Sequence, residues 1–303
     1  MTVPRAVSKV FHASKQAEGV GALVRRAIGG SSRLAYLSPF LLFDHFEGGD
    51  GAFPDHPHRG QETVSYVLRG SVDHEDFAGN KGVIGPGDLQ FMTAGRGIMH
   101  SEQPIADNGV PSAGFQLWVD LPRHLKMCEP RYRDLRAAEI PLAEMDGGKV
   151  HIKVISGRVG DVESPGDLSY TPVWYLDVEI QPGGKLTQPL PAGWNAFAYT
   201  YEGSALFGPK TTDQRPAQTF DAVIFDRDGD TVEVEVGQDE GLPVRFLLIA
   251  GQPLDQPIVQ HGPFVMNTRP EVQQAFEDFY MFKNGFERAK GWRSSNIRRR
   301  ESF

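Results

Sequence analysis

Asp55-His56-Pro57-His58-Arg59-Gly60 sets two imidazoles two residues apart, and the same spacing returns in Met99-His100-Ser101-Glu102. In an extended strand, residues i and i+2 project from one face. Two such strands lying side by side could aim three imidazoles and a carboxylate at one point. That is a donor set for a divalent transition metal, and it leaves coordination positions open for chemistry. Pro57 has no N–H for a ladder, so its strand is expected at a sheet edge or at a bulge. The second pair follows glycine-rich turns, Gly85-Pro86-Gly87-Asp88 and Thr93-Ala94-Gly95-Arg96-Gly97. Glycine there permits tight turns and close backbone approach beside a site. One His-x-His pair alone is weak evidence; the two pairs together single out a metal site.

Glu62 competes with Glu102 for the carboxylate position, because it stands an even number of residues from His58. We favour Glu102 and read Glu62 as a hydrogen-bond partner of the site or a structural residue. His45 and His74 are read as surface residues or as supports of the ligands. The aromatic run Pro39-Phe40-Leu41-Leu42-Phe43-Asp44-His45-Phe46, with Phe53-Pro54, reads mainly as barrel core. One or two of these side chains are expected at the mouth of a pocket leading to the metal.

The rest of the chain reads as strands. Thr63-Val64-Ser65-Tyr66-Val67-Leu68, Phe115-Gln116-Leu117-Trp118-Val119-Asp120 and Val173-Trp174-Tyr175-Leu176-Asp177-Val178 are short β-branched and aromatic runs bounded by turn residues. Such spacing predicts sandwiches or barrels. Gly70-Ser71 and Gly203-Ser204 each follow an apolar strand, which suggests two related barrels. The junction falls near residues 130–148, giving an N-terminal metal-binding barrel over 1–135 and a second barrel with a C-terminal helix and tail over 136–303. Seven of the nine histidines precede residue 125, and the segment matching the first metal strand, near Gln188-Pro189-Leu190, has none. Only the first barrel is therefore expected to hold a metal. The helix is predicted to start at Thr268-Arg269-Pro270-Glu271, where Thr268 and Glu271 have capping-box spacing. Val272, Ala275, Phe276 and Phe279 then form one apolar stripe, read as a docking face.

Composition narrows the function classes. The 303 residues are 40% hydrophobic and carry a formal net charge of −8, so sequence-independent binding to nucleic acid is not expected. The basic end, Arg293 and Arg298-Arg299-Arg300, is read as a solvated tail. The single cysteine, Cys128, excludes an internal disulfide and points to a reducing compartment. No apolar run is long enough to span a bilayer, and the first residues lack a signal-peptide pattern. These features are read as those of a cytoplasmic protein, or also nuclear in a eukaryote.

The quoted motifs around His56, Gly85 and His100 resemble the pirin family of the cupin superfamily. So do Gln260-His261-Gly262-Pro263-Phe264-Val265-Met266-Asn267-Thr268 and Asn284-Gly285-Phe286-Glu287-Arg288-Ala289-Lys290. The resemblance runs from about residue 15 to 292. It implies an all-β bicupin, two face-to-face cupin barrels with a short C-terminal helix, and metal in the N-terminal one alone. It places the ligands on His56, His58, His100 and Glu102. Iron, as Fe2+, is the usual metal of the family, although Mn, Co, Ni, Cu and Zn accept the same donors. Some members are quercetin 2,3-dioxygenases, which implies a flavonol-like substrate, dioxygen as co-substrate and Glu102 as the proton acceptor. Animal members are described as transcription co-regulators, so the alternative is a redox-responsive regulatory protein that binds a protein partner. That role would weight the charges Arg25, Arg26, Arg59 and Arg96, otherwise read as solvated. A monomer without direct nucleic-acid or membrane contact is expected.

Overall fold

The computed structural model describes residues 2–19, 21–30, 32–47, 53–166, 168–210 and 214–295. The basic run Arg298-Arg299-Arg300 lies outside them. Among the described residues, regular structure is strand, apart from short 3-10 turns and one α-helix, Arg269–Tyr280. None of the helices is long and apolar enough to cross a membrane. The all-β expectation holds, and each β-branched run quoted above lies inside a strand.

Residues 15–30, 40–137 and 254–303 form one unit; residues 1–14, 31–39 and 138–253 form the other. The first unit has a seven-stranded antiparallel sheet in the spatial order Arg131–Leu135, Leu89–Thr93, Gln61–Arg69, Ala113–Asp120, Phe40–Glu47, Ala22–Ile28, Lys15–Glu18. Its smaller sheet runs Phe53–His58, Ile98–Ile105, Ser71–Asp76, Lys81–Ile84. The second unit repeats the plan. Its large sheet runs Val7–His12, Asp221–Phe225, Asn195–Glu202, Val244–Gly251, Val173–Ile180, Val150–Ser156, Leu142–Met145. Its small sheet runs Lys185–Pro189, Thr231–Glu235, Ser204–Phe207, Arg215–Gln218. The repeat makes Lys185–Pro189 the counterpart of Phe53–His58, and that strand carries no histidine.

A contiguous division at 135/136 differs from these units at both ends. Strand Val7–His12 pairs with Asp221–Phe225 and so belongs with residues 138–253. The C-terminal helix belongs with the histidine-bearing unit, where Phe264, Ala275, Phe286 and Ala289 cluster with Phe77 and Met99. Its cap is as the spacing predicts: Glu271 N donates to Thr268 Oγ1 at 3.3 Å, and the Glu271 carboxylate accepts from Asn267 N at 3.0 Å. The stripe residues Val272 and Ala275 are buried. The pairings that hold both ends join residues far apart in sequence.

The two interiors differ. In the second unit, Val154, Leu176, Phe207, Leu248 and their neighbours fill the space between the sheets with one apolar cluster. Burial of this kind contributes roughly 25 cal/mol per Å2 of apolar surface. In the first unit the corresponding space holds polar side chains and a cavity.

Candidate metal centre

Strand Phe53–His58 lies at the edge of its sheet and pairs only with Ile98–Ile105. His56 faces His100 across the pair, and Ile98 faces His58. Beyond His100 the register slips, so that Glu102 faces Phe53. The His56 strand therefore carries an extra residue around Pro54 and Asp55. Both the edge position and the bulge that Pro57 suggested are present, the bulge lying just before His56. Across it, His56 Nδ1 donates to the Pro54 carbonyl at 2.8 Å. A carbonyl only accepts, so this bond fixes the proton on Nδ1 and leaves Nε2 with its lone pair.

The three imidazoles converge. Their ring centroids stand 4.4–5.0 Å apart, and one nitrogen from each lies within 4.8 Å of the others. His56 Nε2 and His100 Nε2 are 2.9 Å apart. Two nitrogens each about 2.1 Å from a common ion, at a right angle, would be separated by about 3 Å. His58 Nε2 is buried without a hydrogen-bond partner. An orphaned buried nitrogen costs free energy unless something pairs with it. These residues fit a metal ion. Burial holds all three imidazoles below their ordinary pKa, and neighbouring rings push His58 and His100 further down. They are neutral donors.

Support comes from Gln61, whose carboxamide lies 2.7 Å from His58 Nδ1. A half-turn of that carboxamide swaps two groups of nearly equal size. Its oxygen, otherwise buried without a partner, would then accept Nδ1–H and leave Nε2 facing the cluster. Gln61 reaches this position because the chain reverses at Gly60, whose φ of +78° favours glycine. A Cβ there would lie 2.0 Å from the Val265 carbonyl oxygen. The reversal also explains Glu62. Parity along a strand does not extend through a turn, and Glu62 accepts from Thr93 Oγ1 at 2.7 Å instead of lining the cavity.

Glu102 lines the cavity with His56 and His58 but does not join the close group of nitrogens, which consists of the three histidines. Its carboxylate accepts from Ser65 Oγ at 3.1 Å. Burial pushes Glu102 up to about 7, with the Ser65 hydrogen bond opposing. The cavity measures about 730 Å3. Leu42, Phe46, Phe53 and Trp118 give it apolar walls, and Trp118 stands edge-on to His58 with centroids 5.2 Å apart. The aromatic run thus divides as expected: Phe40 and Phe43 are core, while Phe46 and Phe53 line the cavity.

Three sequence readings change. Arg59 is 1% exposed and bonds Asp278, so it is no solvated charge. Arg26 lines the cavity, bound through two nitrogens to Asp44. Arg96 does pair on the surface, with Glu129. The third change concerns His45 and His74, which are buried. His74 Nε2 lies 2.9 Å from Gln90 Nε2, and His45 packs on Phe115 with centroids 4.7 Å apart.

Burial lowers the His45 pKa from 6.5 to about 4; Glu47 opposes that shift while Arg25, Arg69 and Lys15 add to it. Between those values the unfolded chain binds the extra proton, so stability falls as pH drops through the window. His45→Gln is expected to remove about 3 kcal/mol of that loss between pH 7 and pH 4. Urea titrations at each pH read it directly, and parallel curves for wild type and variant would refute it.

Family models match both units: Pirin over residues 21–119 and the Pirin C-terminal cupin domain over residues 175–285. Pirin of Homo sapiens is 51% identical over 282 residues, covering 92% of this chain and 94% of its own. The crystal structure of quercetin 2,3-dioxygenase from Acinetobacter baumannii matches with a TM-score of 0.82 at 31% identity, covering 94% of this chain and 99% of that one. A bacterial pirin from Escherichia coli in complex with nickel(II) shares the fold, with a TM-score of 0.60 at 20% identity over 84% of this chain and all of that one. Two cupin units, three converging histidines in the first, and this extent of identity make the chain a member of the pirin family.

Proposed function

We propose that the protein is a metal-dependent dioxygenase that cleaves flavonols such as quercetin at the 2,3-bond, with iron(II) as the working metal. The observation that carries this reading is the histidine triad opening on an apolar-walled cavity that also holds a buried carboxylate. The likeness to the Acinetobacter baumannii quercetin 2,3-dioxygenase supports it. A divalent transition metal, when bound, supplies a chelating Lewis acid for the flavonol and redox contact with dioxygen. His56, His58 and His100 would hold it, with Glu102 as fourth donor.

The chain's own residues account for the remaining work. Leu42, Phe46 and Trp118 exclude water from the ring system and orient it. Glu102 takes the proton of the flavonol 3-hydroxyl on a carboxylate oxygen. Ser65, within 2.6 Å of Gln116 Oε1 and 3.1 Å of Glu102 Oε1, holds that carboxylate in place. The two oxygen atoms of dioxygen end on C2 and C4 as the C2–C3 and C3–C4 bonds break, C3 leaves as carbon monoxide with its own oxygen, and the proton held on Glu102 passes to the new carboxylate.

Iron-loaded protein is expected to consume one dioxygen and release one carbon monoxide per quercetin, and the His56→Ala protein to do neither. Elemental analysis of natively purified protein reads the metal. Iron-loaded wild type that leaves quercetin intact would overturn the proposal.

A further inference from the structure

A row of polar side chains crosses the large sheet of the histidine-bearing unit. Arg26 pairs opposite Asp44, Asp44 opposite Gln116, Gln116 opposite Ser65, Ser65 opposite Gln90, and Gln90 opposite Asp134. Residues directly opposite in register share a face of the sheet. The second unit shows what the fold itself requires there. Counting back from the matching glycine-serine turns, Ser65 corresponds to Ala198. The equivalent row is Val154, Leu176, Leu248, Ala198, Val223 and Val10. Every member is apolar and packs in or against that unit's core. The same architecture therefore stands without a polar row, and burying polar groups without need is costly.

The part of the row that lines the cavity has unused hydrogen-bonding capacity. Arg26 donates through Nε and Nη2 to both Asp44 oxygens, at 2.8 and 2.6 Å, and through Nη2 to Glu18 at 2.7 Å. Two carboxylates thus share one cation, and each carboxylate oxygen can accept a second hydrogen bond. Asp44 is 4% exposed. Gln116 stands 2.6 Å from Ser65 Oγ, beside Asp44 in the row. Ser65, beside Glu102, lies two strand spacings from Asp44, about 10 Å at 4.8 Å per strand. Apolar Leu42, Phe46 and Trp118 line the same cavity.

We infer that Asp44 is a specificity-determining acceptor: the cavity selects an elongated planar ligand that chelates at the histidine end and presents ring hydroxyls to Asp44 and Glu18. The inference rests on the flavonol reading and adds to it which flavonols are preferred. Those with a hydroxylated 2-phenyl ring donate to Asp44; those with a bare phenyl ring leave it only the two hydrogen bonds from Arg26. A hydrogen bond to a charged group gives roughly tenfold in affinity.

The test is anaerobic titration of the metal-loaded protein with two flavonols. Quercetin has two hydroxyls on the 2-phenyl ring, and 3,5,7-trihydroxyflavone has none but keeps the chelating pair. Wild type is expected to bind quercetin about tenfold more tightly, and Asp44→Asn to reduce the ratio to about one by weakening quercetin alone. Glu18→Gln, on the more exposed carboxylate, should shift the ratio about threefold in the same direction, which keeps the test open if Asp44→Asn fails to fold. Equal wild-type affinities, a variant that weakens both ligands alike, or binding of neither overturns the inference. Oxygen uptake is read separately. Discrimination without turnover would sink the dioxygenase reading and leave this one standing, and turnover without discrimination would do the reverse.

Discussion

Arg59→Ala is expected to lower the free energy of unfolding by about 3–5 kcal/mol, the usual cost of stripping one partner from a buried ion pair. Arg59 uses its planar fork fully. It donates to the Arg96 carbonyl at 2.6 Å, to Asp278 Oδ2 at 2.8 Å and to the Asn284 carbonyl at 2.6 Å, and it stacks over the Phe286 ring at 4.8 Å. The variant leaves two carbonyls without that donor and Asp278 with the amides of Gln274 and Asn284 and the more distant, half-exposed Lys283 ammonium at 3.9 Å. Removing both charges should be milder, because an apolar pair carries no uncompensated charge. Arg59→Met combined with Asp278→Leu is therefore expected to recover part of the loss. Denaturant unfolding of the two single variants and the double variant measures the coupling. An Arg59→Ala protein within 1 kcal/mol of wild type would show that the pair does not hold the C-terminal helix in place.

His58→Ala should abolish stable metal binding while the chain stays folded. Loss of a group that merely supports a ligand typically costs 10–100-fold in metal affinity, and loss of one of three imidazoles should cost more. His58 Nε2 has no partner to lose, and the fold gives up only the Nδ1 bond to Gln61 and the edge contact with Trp118. Metal at a hundred times its dissociation constant should stabilise wild type by about 2.7 kcal/mol and leave the variant unchanged. Thermal melts with and without metal, together with elemental analysis, distinguish these outcomes. Equal stabilisation of both proteins would place the ion elsewhere.

The histidine cluster was legible in the sequence because it depends on short-range parity. His56 and His58 share a strand face by spacing alone, and the second pair repeats the signal. The Thr268–Glu271 cap was legible for the same reason. Long-range register was not. Arg26, Asp44, Gln116 and Ser65 come together only through pairings between four separate strands, and no local period announces a polar row inside a barrel. Arg59 looked like any surface arginine, since its partner lies 219 residues away. Glu62 competed with Glu102 on parity alone, because counting by twos ignores the turn at Gly60.

Arg59 and its neighbours also bear on the order in which the protein can be made. Arg59 N–H donates to the Pro263 carbonyl and its own carbonyl accepts from Val265 N–H, while Lys126 ties the Gly60 and Val265 carbonyls together. A ribosome releases the chain from the N-terminus at roughly 5–20 residues per second. The histidines therefore emerge well before the segment that clasps the turn beside them. A nascent chain stalled before Pro263 would present its three histidines without that clasp. The turn beside the histidines is thus clasped only once Pro263 and Val265 have been added.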